Sequence, residues 1–113
     1  MSDLVTKHCV PCEGGDPPLA QEKEDQLIKE VPNWFLIRDG EHKLRKVFTF
    51  KAFKEAMKFT NKIAEIAEAE GHHPDIYIFY NKVRLELFTH AVGGLSENDF
   101  IMAAKIDEMQ KNS

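Results

Sequence analysis

Cysteine is scarce in this chain of 113 residues: Cys9 and Cys12 are the only two, in a C-x-x-C spacing. A structural zinc site takes four ligands, and even with His8 beside the pair the shell stays open. A thioredoxin-like motif opens a helix after a strand, whereas Pro11, Gly14, Gly15, Pro17 and Pro18 surround this pair. A reduced pair without metal or redox chemistry is expected. No apolar run approaches the length of a membrane span. The opening Met1-Ser2-Asp3-Leu4 has neither the basic nor the apolar region of a secretory signal, so a cytoplasmic location is expected. There is no cationic excess either. Lys and Arg number 15 against 19 Asp and Glu, a net charge of −4, which argues against broad nucleic-acid binding. Repeats and low-complexity tracts are absent.

What remains is 42% apolar and 30% charged residues, the balance of one ordinary globular domain. Residues 1–18 read as an extended Pro- and Gly-rich leader, and residues 19–113 as a single domain. Leu27, Ile28 and Val31 recur at helical spacing until Pro32 stops them. Strands are predicted at Trp34–Arg38 and Lys43–Phe50 about the turn signal Asp39-Gly40. The clearest helix runs from Ala52 to Glu70, with Phe53, Met57, Thr60, Ile63, Ala64 and Ala67 on one stripe and Gly71 as its stop. Two more strands follow at Asp75–Tyr80 and Val83–Thr89. A last helix begins at Ser96, carrying Phe100, Ala103, Ala104 and Ile106. The order α-β-β-α-β-β-α predicts an α+β fold, a four-stranded antiparallel sheet with three helices packed on one face.

Chemistry concentrates between Glu68 and Asp99, which read E-x3-H-H-P-x5-Y-x9-H-x8-D. Histidine both gives and takes a proton near neutral pH, so His72, His73 and His90 with two carboxylates form a candidate proton-transfer site. If Asn81-Lys82 were a two-residue turn, Ile78 would face Leu85, Ile76 would face Leu87, and His73 would face His90. Alternation then puts Ile76, Ile78, Tyr80, Val83, Leu85 and Leu87 under the helices. His73, Tyr77, Phe79, Phe88 and His90 share the other face with Arg84 and Glu86. Pro74 gives no ladder donor, so regular pairing is expected to fray before His73.

Each residue also has a plainer use. His72 or His73 complements the dipole at a helix end. Asp99, three residues after Ser96, suits a capping box. Glu68 can be a solvated helix residue, and Trp34 and Tyr80 are expected in packing roles. A metal site is disfavoured because adjacent histidines on a strand point to opposite faces.

The whole spacing, with Asn81-Lys82-Val83, Thr89-His90 and Gly94-Leu95-Ser96, resembles the pterin-4a-carbinolamine dehydratases over residues 19–108. The leader, with Cys9, Cys12-Glu13-Gly14-Gly15 and Pro17-Pro18-Leu19, is similar to bacterial members. The resemblance implies a lyase that dehydrates 4a-hydroxytetrahydropterin to quinonoid dihydropterin, using no metal or organic cofactor. It implies His72 and His90 as the acid/base pair and His73 as the residue orienting the pterin. Glu68 and Asp99 would tune the imidazoles, with Thr89 and Pro74 at the substrate. It also implies a homodimer or homotetramer, a functional link to an aromatic amino acid hydroxylase, and no nucleic acid or membrane partner. The family offers an alternative, a dimerisation cofactor of a transcriptional regulator, for which Met102, Ile106 and Met109 would supply a helix surface. The chain departs from common family patterns at Gly71, where some relatives have Asp, and at Ile76, where Trp is common.

Overall fold

The computed structural model describes residues 4–10 and 16–111, so Cys12 lies outside the described residues. Helix α1 spans Gln21–Ile28, followed by β1 (Phe35–Ile37), β2 (Lys43–Thr49), α2 (Phe53–Glu70), β3 (Asp75–Phe79), β4 (Lys82–Leu87) and α3 (Glu97–Lys111). The four strands form one antiparallel sheet in the order β1-β2-β4-β3. The α+β architecture is as expected from the sequence.

Alternation along the two central strands decides where the core sits. Leu44 and Phe48 on β2, with Val83, Leu85 and Leu87 on β4, are buried under the helices. Trp34 is buried as an anchor, its ring edge-on to Phe48 and its indole N–H donating to Asp107 at 3.1 Å. On α3, Phe100, Ala103, Ala104 and Ile106 are buried as the pattern predicted. Met102 is buried with them and Met109 is partly buried, so the proposed partner-facing stripe packs into its own domain instead.

The core face of α2 is rotated from the expected stripe. Ala56, Phe59, Ile63 and Ala67 are buried, while Phe53 is 49% exposed and Ala64 is on the surface. Phe59 decides this, because its ring meets Phe48 at 4.6 Å and Phe50 at 5.1 Å between centroids. Burying such a ring gains about 1.5–3 kcal/mol, more than burying Ala64 could return.

The β3–β4 hairpin also corrects the sequence reading. Ile78 faces Val83 and Ile76 faces Leu85, a register two residues away from the expected one. The turn is Tyr80-Asn81, with Tyr80 at φ 54. Asn81 is taken from the expected turn by Phe50: its carbonyl accepts the Phe50 N–H at 2.8 Å and its side-chain amide donates to the Phe50 carbonyl at 2.9 Å. A shift of two preserves side-chain facing, so the two predicted faces survive. Burial does not follow on β3, an edge strand exposed throughout. Ile76 and Ile78 are 37% and 39% exposed, and Tyr80 is 69% exposed rather than packed.

Two polar clasps complete the frame. Glu24 on α1 is fully buried, where an unpaired charge would be prohibitively costly. Arg38 Nε donates to it at 3.0 Å and His42 Nδ1 lies 2.8 Å away, tying the β1–β2 hairpin to α1. The leader is held as well: Leu4 is buried, and the Cys9 N–H donates to Glu70 Oε1 at 2.8 Å. Val10 and the Asn98 side-chain amide exchange two hydrogen bonds. The Cys9 thiol donates to the Asn98 carbonyl at 3.6 Å.

Candidate active site

Local sequence sets the first half of the site. Gly71 takes φ 65 at the end of α2, and the N–H groups of Gly71 and His72 both return to the Ala67 carbonyl. This left-handed turn closes the helix and fixes the backbone of His72. His72 and His73 then diverge, as neighbours on extended chain must. The His73 Nε2 meets Glu68 Oε2 at 2.5 Å, with both side chains largely exposed. The His72 Nε2 meets Asp99 Oδ1 at 2.6 Å, with Asp99 fully buried.

The second half comes from the loop between β4 and α3. The Thr89 N–H donates to the Gly94 carbonyl at 2.7 Å, and the Thr89 carbonyl accepts from Val92 and Gly93. A 3-10 turn, His90–Val92, closes on itself and presents an exposed His90. A Cβ on Gly94 would stand 3.1 Å from Pro18 Cβ, so a side chain there would force Pro18 aside. The His90 ring sits edge-on to Phe88 at 4.5 Å.

Asp99 joins the halves. Its Oδ2 accepts the Ser96 N–H at 2.9 Å, the capping contact expected at the start of α3, and also the Thr89 hydroxyl at 2.8 Å. Its Oδ1 is thereby left to His72. One buried carboxylate caps a helix, holds an imidazole and fixes the residue before His90. A carboxylate only accepts, so His72 donates through Nε2–H, and in the neutral form of the ring Nδ1 is the proton acceptor.

The expected opposition of His73 and His90 does not occur. The ladder begins at Asp75, after Pro74, and β4 ends at Leu87, before His90. Hydrogen bonds draw His72, Thr89 and Asp99 together, with His90 following by covalent succession to Thr89, while Glu68 and His73 form a separate exposed pair beside His72. Among the described residues, no group of three or more His, Cys, Asp and Glu is placed to hold a metal ion.

Sequence reasoning missed Ser96 as a partner of Thr89, their hydroxyls 2.8 Å apart. It also missed the cations of β2. Lys43 Nζ lies 5.7 Å from the Phe88 ring centroid and 3.4 Å from Glu86, and Arg45 Nε lies 2.8 Å from Glu86. Alternation placed Phe88, Glu86 and Arg84 correctly. Only the β2–β4 register, Arg45 opposite Glu86, could have added Lys43 and Arg45.

Fold and site define a small α+β protein with carboxylate-tethered histidines at the junction of its second hairpin and last helix. The chain belongs to the pterin 4 alpha carbinolamine dehydratase family, whose model matches residues 17–109. A protein of Methylococcus capsulatus named "Putative pterin-4-alpha-carbinolamine dehydratase" is 51% identical over 106 residues, covering 94% of this chain and 92% of the other. One of the same name from Rubrobacter xylanophilus is 44% identical, covering 96% of this chain and all of the other. Among solved structures, a transcriptional coactivator/pterin dehydratase from Brucella melitensis superposes with a TM-score of 0.75 at 29% identity, over 81% of this chain and 97% of that one. A pterin dehydratase-like RuBisCO assembly factor of the alpha-carboxysome shares the fold, with a TM-score of 0.58 at 23% identity over 68% of this chain and 88% of that one.

Proposed function

We propose that this chain is a dehydratase acting on 4a-hydroxytetrahydropterin in tetrahydrobiopterin recycling for aromatic amino acid hydroxylation. The C4a–O bond breaks, N5 loses its proton, a C4a=N5 double bond forms, and water and quinonoid dihydropterin leave. His72 and His90 share the acid and base roles, and His73 with Thr89 and Pro74 orients the ring. The observation that carries this reading is the Asp99 carboxylate, which holds His72 at 2.6 Å and Thr89, next to His90, at 2.8 Å. Asp99 fixes the His72 tautomer, because with Nε2–H engaged Nδ1 is the nitrogen left to take a proton. Glu68 restrains His73 in the same manner. The chemistry asks for no metal or organic cofactor.

The same reading takes the chain as a cytoplasmic dimer or tetramer; no helix among the described residues is long and apolar enough to cross a membrane. The edge strand β3, with its exposed apolar side chains, supports pairing with a second copy. A second reading, a coactivator-type partner of a regulator, is favoured by one observation, the double description of the Brucella relative.

The test is the dehydration rate of freshly generated 4a-hydroxytetrahydropterin, with wild type beside His72→Ala and His90→Ala. Fast turnover that falls roughly 10²–10⁴-fold in both folded variants is expected. A wild-type rate no better than the spontaneous one sinks the dehydratase reading and leaves partner binding.

A further inference from the structure

The sheet face turned away from the helices carries a cationic patch in an otherwise acidic protein. Glu86 on β4 is 3% exposed and lies beneath three cations. Arg45 Nε is 2.8 Å, Arg84 Nε 3.3 Å and Lys43 Nζ 3.4 Å from its oxygens. Arg84 Nε is buried and makes no hydrogen bond among the described residues. The Arg84 guanidinium lies over Tyr77, 4.3 Å from the ring centroid. Asp75, opposite Glu86 on β3, is exposed, and Glu41, two residues before Lys43, reaches the His90 loop with Oε2 3.9 Å from the Cβ position of Gly93. One buried carboxylate that gathers three cations holds them in place without neutralising them.

The patch adjoins the candidate active site. Lys43 Nζ reaches the Phe88 ring at 5.7 Å, and Phe88 contacts His90 at 4.5 Å, so a single ring separates the ammonium from the imidazole. In a pterin, N5 is bonded to C6, and the variable side chain is attached at C6. A ring placed for proton transfer at N5 must therefore release its side chain close to the histidines. On the His90 side the surface it meets is Phe88 and then Lys43.

We propose that Lys43, Arg45 and Arg84 select pterins whose C6 side chain ends in a phosphate ester, in preference to pterins with a neutral side chain. This rests on the dehydratase reading and narrows its substrate class. Guanidinium forks and an ammonium around one point match the several oxygens of a phosphate dianion.

The probes are 7,8-dihydroneopterin and its 3′-phosphate, stable relatives of the product, titrated by pterin fluorescence alongside the dehydration assay. The phosphate ester is expected to bind at least about tenfold more tightly, an advantage that shrinks as salt rises. The preference is expected to collapse toward unity in Lys43→Gln, where Arg45 and Arg84 still hold Glu86, and to be restored in Lys43→Arg. Equal binding of the two probes overturns the proposal and leaves the dehydratase reading standing. A preference that survives both Lys43→Gln and Arg84→Gln also overturns it, because the anion is then read elsewhere. If neither pterin binds and dehydration runs only at the spontaneous rate, both readings fall together.

Discussion

Replacing Asp99 with asparagine isolates the joint on which the site depends. The carboxylate accepts from His72 Nε2, Thr89 Oγ1 and the Ser96 N–H at 2.6, 2.8 and 2.9 Å. An amide of the same shape has one oxygen and one NH₂, so one of these donors must meet another donor. If the NH₂ faced α3, the backbone Ser96 N–H would have no acceptor, and a backbone donor cannot reverse its role. An imidazole can, by moving its proton to the other nitrogen. The NH₂ therefore turns to His72, whose Nε2 becomes the acceptor and whose proton moves to Nδ1, the nitrogen that was to receive the substrate proton. Packing is unchanged; three charge-assisted hydrogen bonds become neutral ones, a loss partly offset because a buried amide costs less desolvation than a buried carboxylate. The stability cost is about 1–2 kcal/mol, a fall in Tm of roughly 5–10 °C. Activity should fall much further, by roughly 10²–10⁴-fold, since the base is in the wrong tautomer. Asp99→Ala should cost about 3 kcal/mol or more, because His72, the Ser96 N–H and the Thr89 hydroxyl then all lose the carboxylate they share. The assay pairs dehydration kinetics and thermal melts with nitrogen NMR of the His72 ring. If Asp99→Asn kept both the wild-type rate and the wild-type imidazole tautomer, the assigned role of Asp99 would be refuted.

Two further outcomes follow from the frame around the site. Tyr80 holds φ 54 with its side chain in solvent, so Tyr80→Gly should relieve backbone strain and raise stability by about 1 kcal/mol, read as a higher denaturant midpoint at unchanged slope; a lower midpoint would show that Tyr80 makes a compensating contact. Burial raises the Glu70 carboxyl, but the Cys9 N–H, His8 and Lys105 together outweigh burial and hold it below the usual glutamate range. A depressed carboxyl contributes stability above its unfolded value and loses it as pH falls through its folded one. Hydrogen-exchange protection of the Cys9 amide should accordingly persist at neutral pH and drop below about pH 4, and Glu70→Gln should abolish that step. Protection independent of pH in wild type, after correction for the intrinsic exchange rate, would contradict it.

Local rules carried most of the architecture. The α2 stop at Gly71, the Asp39-Gly40 turn, the alternation on β4 and the buried stripe of α3 each depend on residues within a few positions of one another. Their physics was readable in order along the chain. The errors share one character. The α2 stripe turned toward Phe59 because of rings on β2 and the residue after it, and the hairpin register moved because Asn81 is claimed by Phe50, 31 residues earlier in sequence. Propensity for a turn at Asn81-Lys82 could not weigh that competing partner.

By itself the sequence determined which residue types the site would use, and on which side of β4 Arg84 and Glu86 stand. Histidines and carboxylates at that spacing are local, covalently fixed facts, and a two-residue slip leaves strand facing intact. Only the tertiary structure decided how they meet. The expected meeting across a hairpin gave way to a meeting around Asp99, a side chain 27 residues from His72 that α3 carries into the core. The cations beside His90 were likewise settled by the pairing of β2 with β4. Contacts of this kind depend on which distant groups win a buried donor or a ring, a competition that exists only once the chain has closed on itself.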